Sequence, residues 1–294
     1  MASMDSISAG TGAASGMAAR PGVLVRLLRN PAALIGGALV LLFVLMAVLA
    51  PILPLADPFK SNFLAIRKPP SALYWFGTDE LGRDQVSRLF FGAQASLLAG
   101  IVSVVIAIAI GLPFGLLAGW YGGWVDIAIS RVTEALLACP FLILAIAFAA
   151  VLGPSLTNAM IAIGLSAVPI FIRLVRGQVM SVKVEDFVEG ARAVGARDLR
   201  LMFRHVLPNT LSPLIVQSTL FMARAIILEA ALSFLGLGQQ PPAPSWGQML
   251  NVAKNFMEQA PWMSVAPGIC IFLAVLGFNL LGDGLRDALD PREN

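Results

Sequence analysis

The sequence predicts an all-α integral membrane protein with six transmembrane helices, and three observations carry that expectation. Of 294 residues, 58% are apolar and only 13% charged, with a mean hydropathy of +0.83. A soluble domain carries about 25% charged residues, so this chain cannot cover a water-facing globule. Six stretches reach the ~20 apolar residues that a helix rising ~1.5 Å per residue needs to cross ~30 Å of hydrocarbon. Within them no period-2 alternation runs long enough for barrel strands. The composition alone excludes a soluble enzyme, a disordered regulator and a coiled coil.

Taken in order, residues 1–30 are expected to form a disordered tail. Residues 1–19 are rich in Ser, Gly and Ala and lack the basic n-region of a secretory signal. The membrane domain, 31–294, is expected to span at about 31–54, 95–119, 127–151, 157–175, 213–235 and 262–282. The third and fourth spans are separated only by Gly153 to Ser155, which predicts a tight hairpin. In the second span Gly111, Gly115 and Gly119 leave one helix face without side chains, suited to close helix packing. Pro113 and Pro169 are sites for a bend. Glu134, one turn from Arg131, is expected to form an interfacial pair with it.

Net charge is +3 with pI near 9.2, but the basic residues sit in short runs between apolar stretches, so they report topology rather than nucleic acid. With the N-terminus inside, thirteen Lys and Arg fall in inner segments and six in outer ones. Both termini are therefore expected in the cytoplasm. Cys139 and Cys270 both lie in apolar runs, as small core residues do. His205 is the single histidine and cannot build a metal site alone.

Long connections remain at about 55–94 and 236–261 outside and 176–212 inside, and loops of that size are usually functional. Within Glu185 to Asn209, the apolar Phe187, Val188, Ala191 and Val194 recur at helical spacing. Gly195 offers a turn, and a second short helix, Leu199 to Val206, is expected to end before Pro208. The physical reading alone is a helix–turn–helix on the membrane face, an interfacial connector or a docking element.

The spelling of this loop resembles the cytoplasmic EAA loop of bacterial ABC importer permeases: Glu-Ala-Ala, three residues, Gly, nine residues, Ile-x-Leu-Pro. Glu189, Ala191, Gly195, Leu207 and Pro208 fall at the pattern's positions, while Gly190 and His205 depart from it. Phe76 to Leu97, Leu232 to Leu250 and Asn279 to Pro291 are similar to the dipeptide/oligopeptide-type permeases, the second or C-type subunit. The resemblance covers about residues 30–292. It implies the type I ABC importer permease fold in the bacterial cytoplasmic (inner) membrane. It also implies a heterodimer with a second homologous permease, two ATP-binding subunits, and a periplasmic or lipid-anchored solute-binding protein. The ATPase-coupling residues it implies are Phe187, Glu189, Gly190, Ala191, Gly195, Ala196, Leu207 and Pro208.

This chain lacks a G-x-x-x-x-G-K-[ST] phosphate loop, so ATP and Mg are expected on the partner ATPases and no cofactor on this chain. Catalytic residues, a metal site and a nucleic-acid partner are not expected; membrane lipid is. Asp79, Arg83, Asp84 and Trp246 are candidates for binding-protein contact at the outer face. The alternative makes them scaffold, with Thr78 capping a helix that carries Arg83, Asp84 and Arg88, and Trp246 an interfacial anchor. Asp283, Arg286, Asp287 and Asp290 are expected to form a solvated end.

A charge inside a span costs about 2.5–3.5 kcal/mol on insertion scales. Arg224 and Glu229, both in the fifth span, are therefore translocation-path candidates or pair with the partner permease. Five residues place them about 140° apart on a helix, so they do not pair with each other. The same two charges leave a secondary, ion-coupled carrier as the competing function, although no repeated half is present. A membrane-embedded enzyme lacks convergent catalytic groups.

Overall fold

The computed structural model describes residues 23–289, which are helices and connecting loops with one isolated antiparallel bridge, Thr78 to Asp84. Helix α1 (Val23–Arg29) lies within the stretch expected to be disordered, and corrects that expectation. After it, the Asn30 side chain donates to Asp287 at 3.0 Å and ties the start of the bundle to its last helix. Residues 1–22 of the expected tail, and Asp290, lie outside the described residues.

Helix α2 (Pro31–Leu49) starts with Asn30 accepting from the N–H groups of Ala32 and Ala33, with proline at the first position. It stops short of residue 54 because Pro51 and Pro54 have no N–H to continue it. Helix α3 (Gln85–Tyr121) starts earlier than expected, capped by Asp84, whose carboxylate accepts from the N–H of Ser87 at 2.8 Å. Its 37 residues, at ~1.5 Å each, carry it well beyond the hydrocarbon.

The third span departs most from expectation. It is two helices, α4 (Gly123–Ala138) and α5 (Phe141–Leu152), bent by 94° where one straight helix was expected. Pro140 is the cause: it holds Cys139 in an extended conformation and removes the hydrogen bond that would bridge the two halves. The short turn after Leu152 leads into α6 (Leu156–Val182), as the hairpin requires. Among the described residues five helices are individually long and apolar enough to cross a membrane, and the bent pair α4–α5 is apolar enough only when its two halves are taken together.

Helices α3 and α6 pack with almost no separation. A Cβ added to Gly111, Gly115 or Gly119 would stand 2.6 to 2.7 Å from the Cβ of Phe171, Val175 or Val179 respectively. Only glycine permits this contact, so the side-chain-free face predicted in the second span is a packing face. Pro113 and Pro169 sit within these helices without interrupting them.

Two short helices, α7 (Asp186–Ala193) and α8 (Asp198–Leu201), follow. The expected stop before Pro208 does not occur. A wide turn, Met202–Val206, leads directly into α9 (Leu207–Phe234), and the Leu207 N–H reaches the Met202 carbonyl instead of the usual one. In a regular helix the Pro208 ring would strike the Arg204 carbonyl; the wider turn moves that carbonyl aside. Helices α10 (Trp246–Ala253) and α11 (Trp262–Leu289) complete the chain.

The bundle has two dissimilar ends. Asn30, Gly119, Asp126, Arg176, Lys183 and Asp287 meet at one, called here the loop end because it carries α7 and α8. Residues 56–84 and 236–262 fold over the other, the cap end, where Arg88 joins Pro58 to Pro242 and Trp262 donates to the Thr78 carbonyl. One apolar core runs through α3, α5, α6 and α9 and takes in Val188, Leu201, Met202 and Val206 from the loop end. A second core joins α2, α3, α9, α10 and α11 around Phe43 and Trp246.

Candidate functional site

At the loop end, α7 and α8 stand on a fixed base. Val188 and Leu201 are fully buried in the main core, and Ala191, Ala196 and Leu207 pack partly against it. The Arg192 guanidinium lies over the Trp120 ring, 5.5 Å from its centroid. Beneath, Lys183 Nζ donates to the Gly119 carbonyl at 2.8 Å, and Arg176 Nη2 donates to Asp126 Oδ2 at 2.7 Å. Displacement of α7 would therefore be felt at the end of α3.

Between the two helices Gly195 has φ +87, and no atom lies within 4 Å of the place its Cβ would take. The glycine is required by backbone conformation, not by space. Glu189, Gly190 and Pro208 are exposed. The expected apolar face divides: Val188 is buried, yet Phe187 is 48% exposed and Val194 85% exposed. Leu199 at 61% and Phe203 at 55% are uncovered at this end as well. A large exposed apolar patch rimmed by charge marks an interaction site. Here the rim is Asp186, Glu189, Arg192, Arg197, Asp198 and Arg200, all exposed.

Sequence reasoning missed Trp120, Lys183 and the Asp126–Arg176 pair as the base of this surface. The available signal was their clustering at the ends of consecutive helices. It also missed the groove beside it, about 730 Å³ and lined by residues of α6, α9 and α11, including Gln178, Asn209, Gln217 and Arg286.

The cap end corrects several expectations. Asp79, Arg83 and Trp246 are buried, at 2%, 3% and 0% exposure, so they do not offer themselves to a partner. Asp84 is a helix cap. Thr78 does not cap a helix; it accepts from the Lys68 N–H at 2.8 Å and donates to the Ala65 carbonyl. Asp79 Oδ2 pairs with Arg83 Nε at 2.6 Å and Arg88 Nε at 3.3 Å, while its Oδ1 accepts from the N–H groups of Leu81 and Arg83. Arg88 also donates to the Pro58 and Pro242 carbonyls and to Gln248 Oε1. Glu80 accepts from Arg83 Nη2 at 2.6 Å, yet burial and the neighbouring Asp79 carboxylate push its carboxyl above the usual range. Trp246 is no interfacial anchor: its Nε1 donates to the Leu89 carbonyl at 3.1 Å, and its ring meets Phe43 edge-on.

The two charges within the fifth span separate. Glu229 is fully buried and accepts from Ser233 Oγ at 2.7 Å and Ser96 Oγ at 3.0 Å, joining α9 to α3. This corrects its reading as a path residue, because the side chain is closed inside the chain's own core. Arg224 is exposed. Arg131 and Glu134 pair at 3.2 Å on an exposed face, as expected. Among the described residues no cluster of His, Cys, Asp and Glu could hold a metal.

Residues 111–294 match the family described as binding-protein-dependent transport system inner membrane component, and residues 22–70 match the N-terminal TM domain of oligopeptide transport permease C. The chain is 48% identical over 267 residues to the dipeptide transport system permease protein DppC of Alkalihalophilus pseudofirmus, covering 91% of this chain and 88% of that protein. It is also 48% identical over 268 residues to the glutathione transport system permease protein GsiD of Salmonella typhimurium, with the same coverage. Among solved structures, an inward-facing MetNI methionine ABC transporter superposes with a TM-score of 0.55 at 22% identity, covering 69% of this chain and 96% of that one. That last likeness concerns the fold alone.

Proposed function

The chain belongs to the binding-protein-dependent transport system inner membrane components, as a C-type permease of the dipeptide/oligopeptide branch of ABC importers; on that premise we propose that ATP-driven motion enters it through α7 and α8. It is a multi-pass inner-membrane permease subunit and not a secondary carrier. The observation that carries the coupling reading is the uncovered apolar surface of Phe187, Val194, Leu199 and Phe203 on a base fixed by Val188, Leu201 and the Arg192–Trp120 stack.

In this reading the loop end faces the cytoplasm, both termini with it, and two ATP-binding subunits cover the surface. Glu189 and Gly190 meet the ATPase, and Gly195 sets the angle between the two helices that it grips. The cap end faces the binding protein, periplasmic or lipid-anchored. A second permease of the same fold completes a heterodimer around a central path. ATP and Mg act on the ATPases and no cofactor on this chain. The solute is a peptide or a similar small molecule, in keeping with the dipeptide and glutathione systems of its relatives.

The test is reconstitution. With the second permease, both ATPases and the binding protein in proteoliposomes, peptide uptake should require ATP. The chain purified alone should hydrolyse none; robust ATPase activity from it would refute the assignment.

A further inference from the structure

The groove at the loop end has a mixed lining, the polar Gln178, Asn209, Ser212, Gln217 and Arg286 among a slightly larger number of apolar residues, and no carboxylate is among the residues that line it. Its volume, about 730 Å³, is that of a small-molecule site. On α9 the groove residues Pro213, Gln217 and Leu220 form one stripe. At about 3.6 residues per turn, Arg224 continues that stripe one turn beyond Leu220, deeper into the span. Phe234 ends α9 some ~15 Å further on, so Arg224 is set well within the helix and not at its margin.

Arg224 brings a guanidinium, which has donors and no acceptor, into the span. Its place in a span therefore calls for an anion or water. Arg224 is exposed, and among the described residues no ion pair involves it. The other candidate counter-charge, Glu229, is closed off on another side of the helix by two serines. The described residues thus place an exposed guanidinium one turn beyond the groove, on the same face of α9, with no ion pair to it among them.

We propose that Arg224 receives the carboxylate of the transported solute as it passes through the groove. Two parallel N–H···O bonds from the guanidinium would fix the solute's orientation in a way that an ammonium could not. This rests on the reading of the chain as an importer permease, and it gives the solute a chemical class: a small amino-acid-like or peptide-like molecule with a free carboxylate.

The experiment uses the complete transporter in proteoliposomes, with a dipeptide and its C-terminal amide each at a concentration that saturates the binding protein. The measured quantity is the ratio of their initial uptake rates. Any preference of the binding protein enters wild type and variant alike and cancels in the comparison. Arg224→Leu should lower the ratio about tenfold, the usual worth of a hydrogen bond to a charged group, and Arg224→Lys should retain part of it. An unchanged ratio, with or without slower overall uptake, overturns the proposal and assigns the charge to a partner such as an acid of the second permease. If neither variant assembles with the second permease, Arg224 is a structural residue and the proposal falls as well. Absence of ATP-dependent dipeptide uptake by the wild type would defeat the underlying peptide reading, and that is seen before any variant is made.

Discussion

The two ends of the bundle invert the usual placement of residue types. At the cap end the charged side chains of Asp79, Arg83 and Arg88 are buried, while at the loop end the apolar side chains of Phe187, Val194, Leu199 and Phe203 are exposed. The cap-end charges are satisfied within the chain: carboxylate, guanidinium and carbonyl partners account for them. The loop-end hydrophobes have nothing on them. A buried charge with all its partners present records a finished fold, whereas a hydrophobe left uncovered on a fixed base records a surface whose cover is another molecule. Charge alone would have pointed to the wrong end.

The largest expected effect comes from opening the cap. Asp79→Ala leaves two buried guanidinium groups facing each other without their shared carboxylate, and removing one partner of a buried pair costs about 3–5 kcal/mol. The purified protein should melt well below wild type and lose protease resistance over residues 56–84. A variant with wild-type melting would end the claim that the cap is held by its charges.

Next comes Gly195→Val. A β-branched residue forced to a φ of +87 costs about 1–3 kcal/mol. The open space around the site means that this strain, and not a clash, is the whole effect. Hydrogen exchange should quicken over residues 186–206 only, the spans should stay intact, and ATP-coupled uptake should be lost. Uptake at the wild-type rate by an assembled complex would remove the hinge from the coupling reading.

A smaller effect of opposite sign is expected at Glu80. Its carboxyl is raised, chiefly by burial and then by Asp79, so the folded protein holds the proton more firmly than the unfolded chain does. The contribution from this group is fully present below the unfolded value of about 4.3. It is lost as pH rises through the folded value. Glu80→Gln keeps an acceptor for Arg83 and removes the unfavourable charge. Its melting temperature should therefore rise slightly at neutral pH, and the gain should vanish near pH 4. A lower melting temperature at neutral pH would mean that the pair with Arg83 outweighs burial.

Much of this arrangement could be read from the sequence, and the failures share a cause. Hydropathy located the apolar runs because crossing a bilayer needs length and composition alone. The loop pattern located α7, since Glu189, Ala191 and Gly195 are fixed in spacing. Pro140 escaped notice because one proline barely changes a window's hydropathy, yet it turns one span into two helices at 94°. The fate of Arg88 was invisible for another reason: its partners Pro242 and Gln248 lie 154 and 160 residues away. Nearby sequence made Asp79 and Arg83 look like outer-face contacts, or with Arg88 like parts of a short helix there. Glu229 was misplaced in the same way, its distant partner Ser96 being 133 residues earlier. Local spelling predicts local shape and docking motifs; it does not predict which charges the fold will close over.

The smallest effect on the chain itself is also the sharpest test of the comparison. Leu199→Ser removes a side chain that is 61% exposed, and substitutions on such surfaces usually stay within about ±0.5 kcal/mol. Melting and span insertion should therefore be unchanged. Val188→Ser, at a fully buried position on α7, supplies the contrast: it removes core contacts and leaves a hydroxyl in an apolar site, and should destabilise the chain by itself. If the loop end is a docking surface, Leu199→Ser should weaken retention of the ATP-binding subunits on the purified permease pair and slow uptake, although the chain is no less stable. If the exposed apolar side chains only rest on lipid headgroups, Leu199→Ser should leave both retention and uptake at wild-type levels. A defect that appears only when the ATPases are present locates the missing cover on them, because nothing else in the assay has changed.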